Sequence, residues 1–149
     1  MSRHLHPDHH VALGEVREVY KDLETRPVQR NCTLITECCQ FKRTGETPYL
    51  TRGEAMIAAK AIRAAGRKEM PKREDGSCPM LHQHTGKCII YKDRPFGCRT
   101  HFCEAAGGPY TRREVLDLIR RLEVVDAQLG GCGAMSLEPA IAGALRDMD

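Results

Sequence analysis

Tryptophan is absent from this chain, and aromatic residues make up only 5% of it. Leu, Ile, Val, Ala and Met must therefore supply most of the core volume, and a bound metal would add a cross-link that such a core lacks. No apolar run is long enough to span a bilayer, and no apolar segment of the secretory kind stands near Met1. The expected compartment is the cytoplasm, where thiols stay reduced. Net charge is only +3, with acids interleaved among the bases, so neither nucleic acid nor a membrane is expected as a partner. A phosphate-binding Gly loop, a nucleophile elbow and a paired-carboxylate motif are also missing.

Cysteine, by contrast, is plentiful. The chain of 149 residues, long enough to form one domain over 1–149, carries eight of them. A disulfide framework, metal ligation and unligated buried thiols are the three readings. A reducing compartment and a cysteine fraction below that of small disulfide scaffolds favour metal. Four cysteines, Cys78, Cys88, Cys98 and Cys103, share one stretch with His82, His84 and His101. Three more, Cys32, Cys38 and Cys39, fall within eight residues upstream. Pro79, Gly86, Pro95 and Gly97 punctuate the longer stretch. That backbone chemistry suits ligand loops, because a regular helix or strand cannot surround an ion. Structural zinc takes four ligands, thiolate and imidazole, and iron–sulfur clusters take four cysteines. Four thiolates on Zn²⁺ leave a charge of about −2. Lys87, Lys92, Arg94 and Arg99 stand close enough in sequence to offset it and to favour the ligating thiolate.

The surrounding chain reads as helices. One is expected from Pro7 or Asp8 to a point before Pro27, with Val16, Val19, Tyr20 and Leu23 on its apolar stripe. Thr51 and Glu54 form a capping box, and a helix with a small-residue face (Ala55, Ala58, Ala59, Ile62, Ala65) should run to about Ala65 and stop at Gly66. Short strands are expected over 77–81 and 87–91, followed by a tight turn over 93–97 that delivers Cys98. Thr111 and Glu114 open the strongest helix, whose stripe is Val115, Leu118, Ile119, Leu122, Val125 and Leu129; its arginines read as a solvated face. Gly130 and Gly131 end it, and a last helix starts near Ser136, with Ile141, Ala144, Leu145 and Met148 on its apolar face. The expected fold is mainly α with a small β-hairpin: a compact cysteine-rich metal-binding domain braced by about four helices. Its metal-binding region covers 31–103 and its C-terminal helical segment 111–148. Cys132 stands apart from ligand-like neighbours and reads as an ordinary thiol. His4, His6, His9 and His10 suit either a solvated terminus or an auxiliary zinc, copper or nickel site.

The ordered motifs C-x5-C-C, C-P-x-L and G-x-C-x-x-Y-x-x-R-P-x-x-C-R, with a final cysteine, cover 31–103. They resemble the zinc- or iron-chelating family named for its C-x2-C-x2-C-C motif, the YkgJ-like proteins. That resemblance implies metal ligation by Cys32, Cys38, Cys39, Cys78, Cys88, Cys98 and Cys103. The family's second cysteine is replaced by Ile35, so His101 could stand in or one of two centres could be lost. The resemblance implies metal binding more firmly than any reaction.

Three functions follow. The first is a metal-binding protein with a cysteine-ligated zinc or iron–sulfur centre and no defined activity. The second is an iron–sulfur oxidoreductase or electron carrier, with a redox partner. The third is a metal chaperone or adaptor with a protein partner, the histidine-rich terminus serving as its loading arm. Whether the chain is an enzyme is left open by these residues.

Overall fold

A computed structural model describes residues 7–25, 49–70, 80, 88–96, 98 and 112–148. Among these residues the chain is mainly helical. Helix α1 covers Pro7–Glu24, strand β1 Tyr49–Leu50, helix α2 Arg52–Ala64, and a single 3₁₀ turn Tyr91–Asp93. Helix α3 covers Arg112–Gln128, strand β2 Met135–Ser136 and helix α4 Leu137–Met148. No helix among the described residues is long and apolar enough to cross a membrane.

The helices start and stop where local chemistry dictates. Helix α1 opens at Pro7, whose missing N–H has no intrahelical partner to lose. It ends at Glu24, and the Thr25 hydroxyl donates to the Asp22 carbonyl at 2.9 Å. Helix α2 opens on Thr51 in extended conformation, with Glu54 reaching back to it. Helix α3 gives way at Gly130, where φ is +75°, a conformation that L side chains rarely adopt.

Helix α2 is the hub, packed against α1, α3 and α4, while α1 also lies along α3. Every residue from Gly53 to Ala59 is buried, as suits a helix surrounded by others. The small-residue face is therefore spent on neighbouring helices, although Ala65 is exposed. Gly53 is where they come closest. A β-carbon there would lie 2.7 Å from Val16 Cγ2 and 3.0 Å from Val125 Cγ1, so only glycine lets α1 and α3 close over α2. The predicted stripes supply much of the core: Val16, Val19, Tyr20 and Leu23 from α1, Val115, Leu118, Leu122 and Val125 from α3, and Ile141, Ala144 and Leu145 from α4. Burying each large aliphatic side chain stabilises the fold by roughly 1.5–3 kcal/mol.

The small sheet lies elsewhere than expected. Strands β1 and β2 pair antiparallel, Tyr49 opposite Ser136 and Leu50 opposite Met135. They tie the entrance of α2 to the entrance of α4. Of the two strands expected over 77–81 and 87–91, the described residues form none. Met80 lies in a turn, Cys88 makes an isolated bridge, and Ile89 and Ile90 turn directly into the 3₁₀ segment. Residues 77–79, 81 and 87 lie outside the described residues.

The arginine face of α3 is not simply solvated. Arg121 reaches across to α1, donating to Glu15 at 2.8 Å and also to Asp22. The hydrogen bond to Asp22, then that to Glu15, raises its pKa above the ordinary arginine value. A group shifted upward stabilises fully below its unfolded pKa and loses that contribution only above it, so Arg121 stays paired across the neutral range. About a third of the side chain is exposed, which screens the pairs. Arg121→Ala is expected to lower stability by roughly 1 kcal/mol, and by less as salt rises. Urea unfolding at low and high ionic strength checks this; a loss independent of salt would assign the effect to packing of the arginine stem instead.

Candidate metal centre

Two of the eight candidate ligands, Cys88 and Cys98, fall within the described residues, and both thiols are half-buried. They bracket one short segment that is fastened to the helices at several points. The Ile89 N–H donates to the Met80 carbonyl at 2.8 Å, and both Met80 and Ile90 are buried. The Asp93 N–H donates to the Ile90 carbonyl at 2.8 Å and closes the 3₁₀ turn. The Asp93 carboxylate pairs with Arg17 of α1 at 2.8 Å. The Phe96 N–H donates to Glu54 Oε1 of α2 at 2.7 Å. Pro95 and Phe96 are buried beside it. Finally, the Cys98 N–H donates to the Pro95 carbonyl at 3.0 Å. In place of the expected tight turn over 93–97, Asp93 ends a 3₁₀ turn and Phe96 and Cys98 are helical, Gly97 lying outside the described residues.

The nearby cations divide. Arg94 turns back on its own loop, donating from Nε to the Tyr91 carbonyl at 3.0 Å and lying 4.0 Å over the Tyr91 ring. Lys92 is exposed. Lys87 and Arg99 lie outside the described residues, as do Cys32, Cys38, Cys39, Cys78, Cys103, His82, His84 and His101. Among the described residues no three His, Cys, Asp or Glu side chains gather into a metal-holding group. Cysteine thiolates are soft donors of the kind that zinc and iron–sulfur clusters take. His9 and His10 lie on consecutive positions of α1; His4 and His6 fall outside the described residues.

Cys132 belongs to a different region. It is exposed, in the loop after α3, and it lines a cavity of about 210 Å³ with Leu50, Ala55, Leu129 and Met135. That loop is held by Asp126, which is only 5% exposed. Asp126 Oδ1 accepts the Arg52 N–H at 2.7 Å and Oδ2 accepts the Gly133 N–H at 2.9 Å. The carboxylate thus caps α2 from a neighbouring helix and orders the turn beneath Cys132.

Sequence reasoning read Glu54 as a cap and passed over Asp126. A signal existed for both. Glu54 precedes Ala58 and Ile62 on the buried stripe by one and two helical repeats of four, and Asp126 follows Leu122 by one. An acid on an apolar stripe must find buried donors. The Arg17–Asp93 pair left no such trace.

Comparison with curated proteins gave no match, and neither did comparison with solved structures. A family model does match. Named CxxCxxCC and described as "Putative zinc- or iron-chelating domain", it covers residues 30–118, more than half of the chain, including both fastened thiols and the cap at Glu54; the protein belongs to this family.

Proposed function

We propose that the protein binds metal in a cysteine-ligated zinc or iron–sulfur centre. Its ligands are drawn from Cys32, Cys38, Cys39, Cys78, Cys88, Cys98 and Cys103, with His101 as the imidazole candidate. The observation that carries this is the placement of Cys88 and Cys98. Both thiols are half-buried at the ends of a segment fastened to α1 and α2, Cys88 on an isolated bridge against the core and Cys98 on a helical turn that follows buried Pro95. A rigid support behind partly accessible thiols is what a ligand site requires. Bound there, the metal would supply a cross-link and, as an iron–sulfur cluster, a site for one electron. The chain's own residues hold the segment that carries the two thiols, through Arg17 and Glu54, with Pro95 and Phe96 buried just before Cys98.

The test is metal and acid-labile sulfide content, with a visible spectrum, on anaerobically purified full-length chain. Stoichiometric zinc without colour, or iron with sulfide and visible absorbance, is the expected result, and it names the centre. Protein that is folded, reduced and free of both metals, and that takes up neither on addition, would sink the proposal.

A further inference from the structure

Glu54 is 2% exposed, in the first turn of α2. Its Oε2 accepts the Thr51 N–H at 2.8 Å and the Thr51 hydroxyl at 3.0 Å. These bonds complete the cap, and a cap needs only one oxygen. The other oxygen, Oε1, accepts the Phe96 N–H at 2.7 Å, from a residue 42 positions away in the chain. Two residues beyond Phe96 comes Cys98, whose own N–H is bound to the Pro95 carbonyl.

We propose that Glu54 is a positioning residue for the Cys98 thiol and holds the turn before it in place ahead of metal binding. The inference rests on Cys98 being a ligand, as argued above. A carboxylate presents an acceptor at each oxygen, so one side chain can satisfy backbone donors on two elements at once. An amide presents only one. In Glu54→Gln the NH₂ must face either Thr51 or Phe96, donor against donor, in a site with little water to relieve it. One of the two connections is lost whichever way the amide turns. The bond to Phe96 joins the loop to the body, and buried Pro95 and Phe96 limit how else the turn could settle. Groups that orient a metal ligand from behind typically change metal affinity by about 10–100-fold when removed.

The experiment uses the full chain in three forms: wild type, Glu54→Gln and Thr51→Val. Thr51→Val deletes the hydroxyl while leaving the Phe96 bond untouched. Zinc affinity is measured by competition with a chromophoric chelator, and the Co²⁺-loaded protein is examined for its thiolate charge-transfer and d–d bands. Both are read at a temperature where all forms are folded. Glu54→Gln should bind zinc about 10–100-fold more weakly and shift the cobalt bands. Thr51→Val should melt earlier yet keep wild-type affinity and spectrum. A Glu54→Gln protein with wild-type affinity and spectrum would reduce Glu54 to a cap and overturn the proposal. Wild-type protein that binds neither ion would instead remove the ligand reading, and this inference with it. Should Glu54→Gln fail to fold, amide exchange on metal-free wild type decides. The Phe96 amide should exchange about 100-fold or more slowly than an open amide. Exchange at the open rate would show that the turn is not held before metal arrives.

Discussion

Asp126→Ala should lower the stability of the protein by about 2–3 kcal/mol, because two backbone donors lose their shared acceptor. The larger part comes from the Arg52 N–H, which opens α2 and is partly buried; the Gly133 N–H lies in an exposed loop where water can replace the carboxylate. Loss of a negative group at the positive end of the central helix adds to the cost. For a chain of this size the melting temperature should fall by about 4–12 °C. Gly131 offers a sharper check. A β-carbon there would meet the Asp126 carboxylate at 2.3–2.6 Å, so Gly131→Ala should destabilise by roughly 1–3 kcal/mol in wild type. On the Asp126→Ala background the obstruction is gone, and the same substitution should cost little. A double-mutant cycle by thermal or urea unfolding measures the coupling. Additive effects would mean that the loop moves aside and that Asp126 does not hold it.

Cys98→Ser and Cys88→Ser should each weaken zinc binding by more than about 100-fold, beyond the loss typical of removing a residue that only orients a ligand. Serine keeps the size of the side chain, so the fastened segment should survive: its bonds from Phe96 to Glu54, from Asp93 to Arg17 and from Cys98 to Pro95 involve backbone, carboxylate and guanidinium groups, not the thiols. Cys132→Ser should leave zinc binding unchanged, since Cys132 lines the cavity on the Asp126 side of α2. Chelator competition on the three variants separates these outcomes. Wild-type affinity in Cys98→Ser or Cys88→Ser would strike that thiol from the ligand set, and a large loss in Cys132→Ser would show that spacing misassigned it.

The helices were legible because each carries its own signals. Pro7 and the Thr51–Glu54 box mark starts, Gly130 marks an end, and apolar residues recur at helical spacing between them. The sheet was not legible. Tyr49–Leu50 and Met135–Ser136 are two residues each, too short to show alternation, and what pairs them is the docking of α2 on α4. The Ile89–Ile90 pair misled for the opposite reason. β-branched residues favour strands, but here burial of Ile90 and the approaching Pro95 turn the chain into a 3₁₀ segment. At the site, spacing singled out Cys88 and Cys98. That Glu54 and Arg17 anchor the segment between them depends on which faces of α1 and α2 meet it, and periodicity within one helix does not carry that information.

The central position of α2 has a consequence for synthesis. Translation completes α2 at Ala64, but two of its packing partners, α3 and α4, end at Gln128 and Met148. At about 5–20 residues per second the ribosome needs roughly 4–17 s to make the intervening chain. For the last part of that interval, once Cys103 is made, every cysteine from Cys32 to Cys103 is present while the faces of the hub helix that α3 and α4 will cover are still bare. Thiols and greasy surface are thus presented together, before α3 and α4 have closed over α2. Chaperone capture of nascent chains, and metal supplied after release rather than during elongation, follow from placing the keystone helix early and its buttresses last.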